Sequence, residues 1–117
     1  MKYLLTIVLL FTFSQVVVVA FYSGNEMLKM CEAYLSETGS AADGNTCVGY
    51  VVGIHDGHFT FSVRADMKKT ICLPDSSVDG SQLVRVVTKH LQEHPEDLHY
   101  TAASLITNAL QQAFPCE

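Results

Sequence analysis

Positive charge is scarce in this sequence. Lys2 apart, six Lys and Arg residues face twelve Asp and Glu, a net charge of −6. Nucleic acid is excluded as a partner, because its phosphates demand clustered cations. The same shortage argues against docking on anionic lipid, so no membrane partner is expected for the mature chain. An acidic surface suits solubility and steers toward a basic partner. There is no Gly-rich phosphate loop, no Ser/His/Asp arrangement, no internal repeat and no low-complexity tract. Nothing here calls for a cofactor.

What the chain does have begins at its first residues. Lys2 precedes YLLTIVLLFTFSQVVVVA, an apolar run ending at Ala20. A short basic start, an apolar stretch and a small residue at the cut site make a secretory signal peptide. The cut is expected after Ala20, with residues 21–117 as a single mature domain. An uncleaved anchor is the competing reading, since residues 3–20 reach the lower end of a spanning length. The abrupt polar turn after Ala20 favours cleavage.

Export makes sense of the cysteines. Cys31, Cys47, Cys72 and Cys116 are an even set of four in a domain of about a hundred residues, which reads as two disulfides. Their spacings of 16, 25 and 44 lack the paired C-x-x-C pattern of a zinc site. Four cysteines allow three pairings, and the spacing does not choose among them.

The apolar pattern is helical. Residues 25–37 carry apolar side chains at 27, 28, 31, 34 and 35, with Asn25 as N-cap. Residues 38–45, TGSAADGN, have the composition of a loop. Residues 46–55 are apolar on nearly all sides, so strand and helix both fit. The pattern runs on through Phe59, Phe61 and Val63, which favours helix, with Thr46 as its cap. Gly49 and Gly53 would share a face and admit another backbone. The stretch from His55 to Thr70 either extends this helix or breaks at Gly57, and Thr60-Phe61-Ser62-Val63 within it alternates like a strand. After Ile71–Pro74, residues 75–81 read as a loop. Residues 81–93 form an amphipathic helix capped by Ser77 or Asp79. His94-Pro95 stops it. A last helix then runs over 96–113, with Pro95 in its first turn. The sum is a small all-α bundle of four main helices, stapled by two disulfides.

HLQEH, residues 90–94, matches H-x-x-E-H of a zinc peptidase class. That chemistry needs a third protein ligand well downstream. That ligand is usually a carboxylate; the carboxylates after His94 are Glu96, Asp97 and Glu117, and the first two are too close along the chain. His90 and His94 are therefore read as solvated residues at a helix C-terminus, where partly cationic histidine is favoured. His55-Asp56-Gly57-His58 is read as a polar turn rather than a metal site. No metal ligand and no catalytic residue is assigned.

Several stretches together resemble a known family. Asn25-Glu26-Met27-Leu28 leads to Cys31. The C-x-G-Y-x-x-G-x-x-D run from Cys47 to Asp56 follows. Then come Ile71-Cys72-Leu73-Pro74, Gln82-Leu83-Val84, His94-Pro95-Glu96 and Ala113-Phe114-Pro115-Cys116. This order is similar to the Tai-type immunity proteins of type VI secretion, which protect bacteria against injected peptidoglycan amidases. The resemblance implies a non-enzymatic, helical, periplasmic protein. It also implies a homodimer that occludes the cleft of a secreted cysteine–histidine amidase. It implies the pairing Cys31–Cys47 and Cys72–Cys116, and makes His94-Pro95-Glu96 a structural turn. It supplies no inhibitory residues. On physical grounds the tethered loop Asp75, Ser76, Ser77, Val78, Asp79 and Gly80 is the first candidate for partner contact, and Gly39 to Asn45 the second. The alternatives are a periplasmic helical adaptor without a toxin, or a metal-binding protein using His55, His58, His90 and His94.

Overall fold

The computed structural model describes residues 21–74 and 78–117. The proposed signal peptide and Asp75, Ser76 and Ser77 lie outside the described residues. Four α-helices carry the fold: α1 (Gly24–Leu35), α2 (Ala41–Arg64), α3 (Gly80–Glu93) and α4 (Ala102–Ala113). A single 3-10 turn, Pro95–Asp97, sits between α3 and α4. The all-α bundle is as expected, and among the described residues there is no strand, only the isolated bridge Ser23–Thr101.

Each helix has a side chain that satisfies its free N–H groups. For α1 this is Ser23 rather than Asn25. Ser23 Oγ accepts from the Glu26 N–H, and Glu26 returns the bond to the Ser23 N–H at 2.8 Å, a capping box. Those bonds from Ser23 hold the Glu26 carboxyl below its usual range. Asn25 instead donates to the Leu98 carbonyl, from its backbone at 3.0 Å and its side chain at 3.1 Å. Ser40 caps α2, so Ala41–Asn45 are helical rather than loop, and Thr46 lies inside the helix, its hydroxyl on the Ala42 carbonyl. Asp79 caps α3, accepting from Gln82 N–H at 2.8 Å.

The helix expected over 96–113 is split, and the reason is a contact from far away in sequence. The Leu98 and Tyr100 carbonyls accept from Asn25 and Gly24 of α1, while the Ala102 N–H donates to Tyr22 at 2.7 Å. These groups are taken by α1, so the helix restarts at Ala102 with Thr101 as its cap. Gly24 is essential to this junction. A Cβ there would lie 2.9 Å from both the Cα and the carbonyl oxygen of Leu98.

The core is one cluster. Met27 and Cys31 come from α1, Cys47 and Val51 from α2, Leu83, Val84, Val87 and Leu91 from α3, and Ala102, Leu105, Ile106, Ala109 and Leu110 from α4. These are the stripes the periodicity marked. Tyr34 and Leu35, also on the α1 stripe, remain partly open to solvent, as helix α1 ends there. Among the described residues Thr88 and Ser62 are the buried polar ones, and each hydroxyl donates to the carbonyl four residues earlier. Gly49 and Gly53 do not seat a neighbouring backbone of this chain. A Cβ at either, or at Gly57, meets nothing within 4 Å.

Helix α2 runs unbroken through Gly57, and beyond Val51 its one buried residue is Ser62. It ends by a left-handed residue, Asp66 at φ 50°. The Met67 N–H then reaches back to the Ser62 carbonyl at 2.9 Å, the six-to-one bond of a Schellman turn. The chain returns to the core at Ile71. The disulfides pair Cys31 with Cys47 and Cys72 with Cys116, with Cα–Cα distances of 5.1 and 5.0 Å. The first bridge is wholly buried, while Cys72 is exposed.

Two outcomes are expected. Gly24→Ala lowers unfolding free energy by about 1–3 kcal/mol, the range for overpacking, measured by urea denaturation. Graded reduction of the native protein opens Cys72–Cys116 before Cys31–Cys47, read by thiol alkylation and peptide mass. Loop-closure entropy assigns roughly 4 kcal/mol to the longer loop and 3 kcal/mol to the shorter.

Candidate partner-binding surface

The zinc-peptidase spelling does not assemble a zinc-peptidase site. His90 and His94 lie on the last turn of α3, their rings 4.5 Å apart. Glu93, the would-be general base, pairs with Lys89 at 3.8 Å across the exposed face. His94 Nδ1 turns toward the Glu96 carboxylate at 3.3 Å. Among the described residues one group, His94, Glu96 and Asp97, brings ligand atoms within 4.8 Å of one another, and His90 is not in it. His55 and His58 are elsewhere, on α2. His55 Nδ1 lies 3.1 Å from Asp56, and His58 Nε2 lies 2.9 Å from Thr70 Oγ1. The four histidines thus form no common ligand set.

His90 is pushed below the ordinary histidine range. Partial burial is the main cause, and the neighbouring His94 adds to it, against the weaker pull of Asp97 and Glu93. His90 also lines a shallow groove of about 280 Å³ between α3 and α4, with Val86, Lys89, Glu93, Ala109, Gln112 and Ala113.

Of the first loop candidate, Asp75, Ser76 and Ser77 lie outside the described residues. Val78 is partly buried against the core, and Asp79 is spent as the α3 cap. The second candidate shrinks, since Ala41–Asn45 belong to α2. The strongest surface signal was passed over in sequence as uncertain helix. It is the end of α2, where Phe59, Phe61, Val63 and Met67 remain exposed. Beside them is a cavity of about 320 Å³ lined by His55, Phe59, Lys69, Ile71, Cys72 and Leu73. A run of aromatic and β-branched residues continuing past the core stripe was the available sign.

Together these features define a doubly cross-linked helical domain with exposed apolar side chains at one end of α2. The chain belongs to the Rap1a immunity protein family, whose model matches residues 23–116. This is a type VI secretion immunity family, so the chain is of the class that neutralises an injected effector. The match is to the family as a whole and does not single out its Tai-type members. Neither the curated proteins nor the solved structures give a match. Among the described residues no helix is long and apolar enough to cross a membrane.

His90 supplies a pH test. With its folded-state pKa below the unfolded value of about 6.5, the unfolded chain binds more protons between the two. Stability therefore falls as pH drops from about 6.5 through the folded value. His94→Ala removes a like charge, so the His90 midpoint in an NMR titration should move up.

Proposed function

We propose that the mature domain is a periplasmic, Tai-type immunity protein. It binds a type VI secreted peptidoglycan amidase and occludes its cleft, sparing the cell wall of the producing cell. The observation that carries this reading is the family match across nearly the whole mature chain. Two disulfides support an oxidising compartment, since such bridges persist outside the cytosol. The resemblance further suggests a homodimer. Inhibition by occlusion needs no chemistry from this chain. It needs a surface held in its bound shape, which the cross-links and capped helices supply.

The test mixes the oxidised, signal-free protein with the secreted amidase encoded beside it. Peptidoglycan cleavage and complex mass are followed together. Stoichiometric loss of cleavage with a stable complex is expected, and the mass reports whether the inhibitor enters as a dimer. Unimpaired cleavage with no complex would remove the amidase assignment.

A further inference from the structure

The end of α2 differs in character from the rest of this acidic domain. Phe59, Phe61, Val63 and Met67 are 48, 63, 57 and 55% exposed, half of the eight large apolar side chains left open among the described residues. Arg64, Lys68 and Lys69, half of the six cations after Lys2, are interleaved with them. Residues 57–74 contain these three cations and one carboxylate, Asp66. An apolar, basic tip has thus been built on a domain of net charge −6. Isolated exposed apolar residues are ordinary, but Phe59 and Val63 stand four apart on one flank of α2, the spacing at which helical side chains meet, while Phe61 faces the other flank. An apolar flank interleaved with cations marks an interaction site.

The tip is also held in place. The Schellman turn fixes the exit from α2. Thr70 Oγ1 meets His58 Nε2 at 2.9 Å and accepts from Gln111 Nε2 at 2.7 Å. The Cys72 N–H donates to the Phe114 carbonyl at 2.8 Å, and its sulfur is bridged to Cys116. Between α2 and this tethered strap opens the 320 Å³ cavity, walled by Phe59, Ile71 and Leu73. Lys69 lies at its edge with the ammonium 4.8 Å from the Phe59 ring centroid.

We propose that this tip is the effector-binding surface, and that it receives a segment of the effector carrying a carboxylate beside an apolar side chain. The inference rests on the immunity reading above. The apolar group enters the cavity against Ile71 and Leu73, and the carboxylate pairs with Lys69, with Lys68 and Arg64 at the rim. Local charge complementarity then fixes the register, while the domain's overall acidity steers it to the effector as a whole. A smooth anionic bilayer would have no use for a side-chain-sized cavity. A second copy placed tip to tip would bring like charges together.

The probes are Phe59→Asp and the double variant Lys68→Glu/Lys69→Glu, titrated calorimetrically against the amidase used above. Both changes are at exposed positions, and the double variant lies beyond the helix, so it tests the surface even if Phe59→Asp frays α2. Each should weaken binding by about tenfold or more, roughly 1.4 kcal/mol, with both disulfides retained and the melting temperature little changed. Lysine in place of the effector's contacting carboxylate should restore affinity for the double variant alone. Binding by both variants at wild-type strength would overturn the surface and leave the immunity reading standing. Failure of the wild-type protein to bind the amidase would remove the amidase assignment and, with it, the contact proposed here. Two other results would also overturn it, each with effector affinity unchanged. One is a Phe59→Asp protein that turns from dimer to monomer, which assigns the face to a second copy. The other is phosphatidylglycerol vesicles that bind wild type but neither variant, which assigns it to a bilayer.

Discussion

The buried Cys31–Cys47 bridge is the constraint on which the remaining structure depends. Helix α1 has twelve residues, a length at which an isolated helix is marginal in water. The bridge joins it to α2 in the middle of the core, where both cysteines are fully buried. Gly44 lets the two helices close up, since a Cβ there would sit 3.1 Å from Tyr34 Cα. The resulting helical pair is the platform that α3 and α4 cover. The N-termini of α1 and α4 are then stitched side by side, because carbonyls and N–H groups left free at one are satisfied by the other.

Helix α2 has twenty-four residues, twice the length of α1 and α4, and this excess separates stability from recognition. Its first half contributes Cys47 and Val51 to the core. Its second half contributes a single buried serine and presents apolar and basic side chains outward. The second bridge matters for this part. Cys72–Cys116 anchors the returning strap to the C-terminus, so a surface with little core of its own is still held in one shape. An immunity protein that acts by occlusion benefits from such an arrangement, because little conformational entropy is left to lose on binding.

Local patterns were legible where local physics decides them. The stripes of α3 and α4 and the Asp79 cap follow from periodicity and from the need to satisfy the first N–H groups. The reading failed where a distant segment competes. Ser23 rather than Asn25 caps α1 because Asn25 is drawn to the Leu98 carbonyl. TGSAADGN has the composition of a loop, yet Ser40 caps a helix at Ala41 that the Cys47 bridge holds against α1. The final helix was drawn too long because the bonds that interrupt it come from Tyr22, Gly24 and Asn25. The recognition surface was obscured for a related reason. Phe59, Phe61 and Val63 continue the apolar pattern of the helix, and only the packing shows that they stay in water.

The sequence by itself determined the class: an all-α domain, acidic, with an even set of cysteines and the ordered motifs of an immunity family. The fold class and acidity follow from side-chain period and charge, the cysteine set from their number, and the family from a resemblance of motifs, all of which are read along the chain in order. The tertiary structure alone decided that His94 gathers with Glu96 and Asp97 while His90 stays apart, where the last helix begins, and which apolar residues stay in water. The last two depend on groups brought together from distant parts of the chain, and burial and hydrogen-bond competition exist only once they meet.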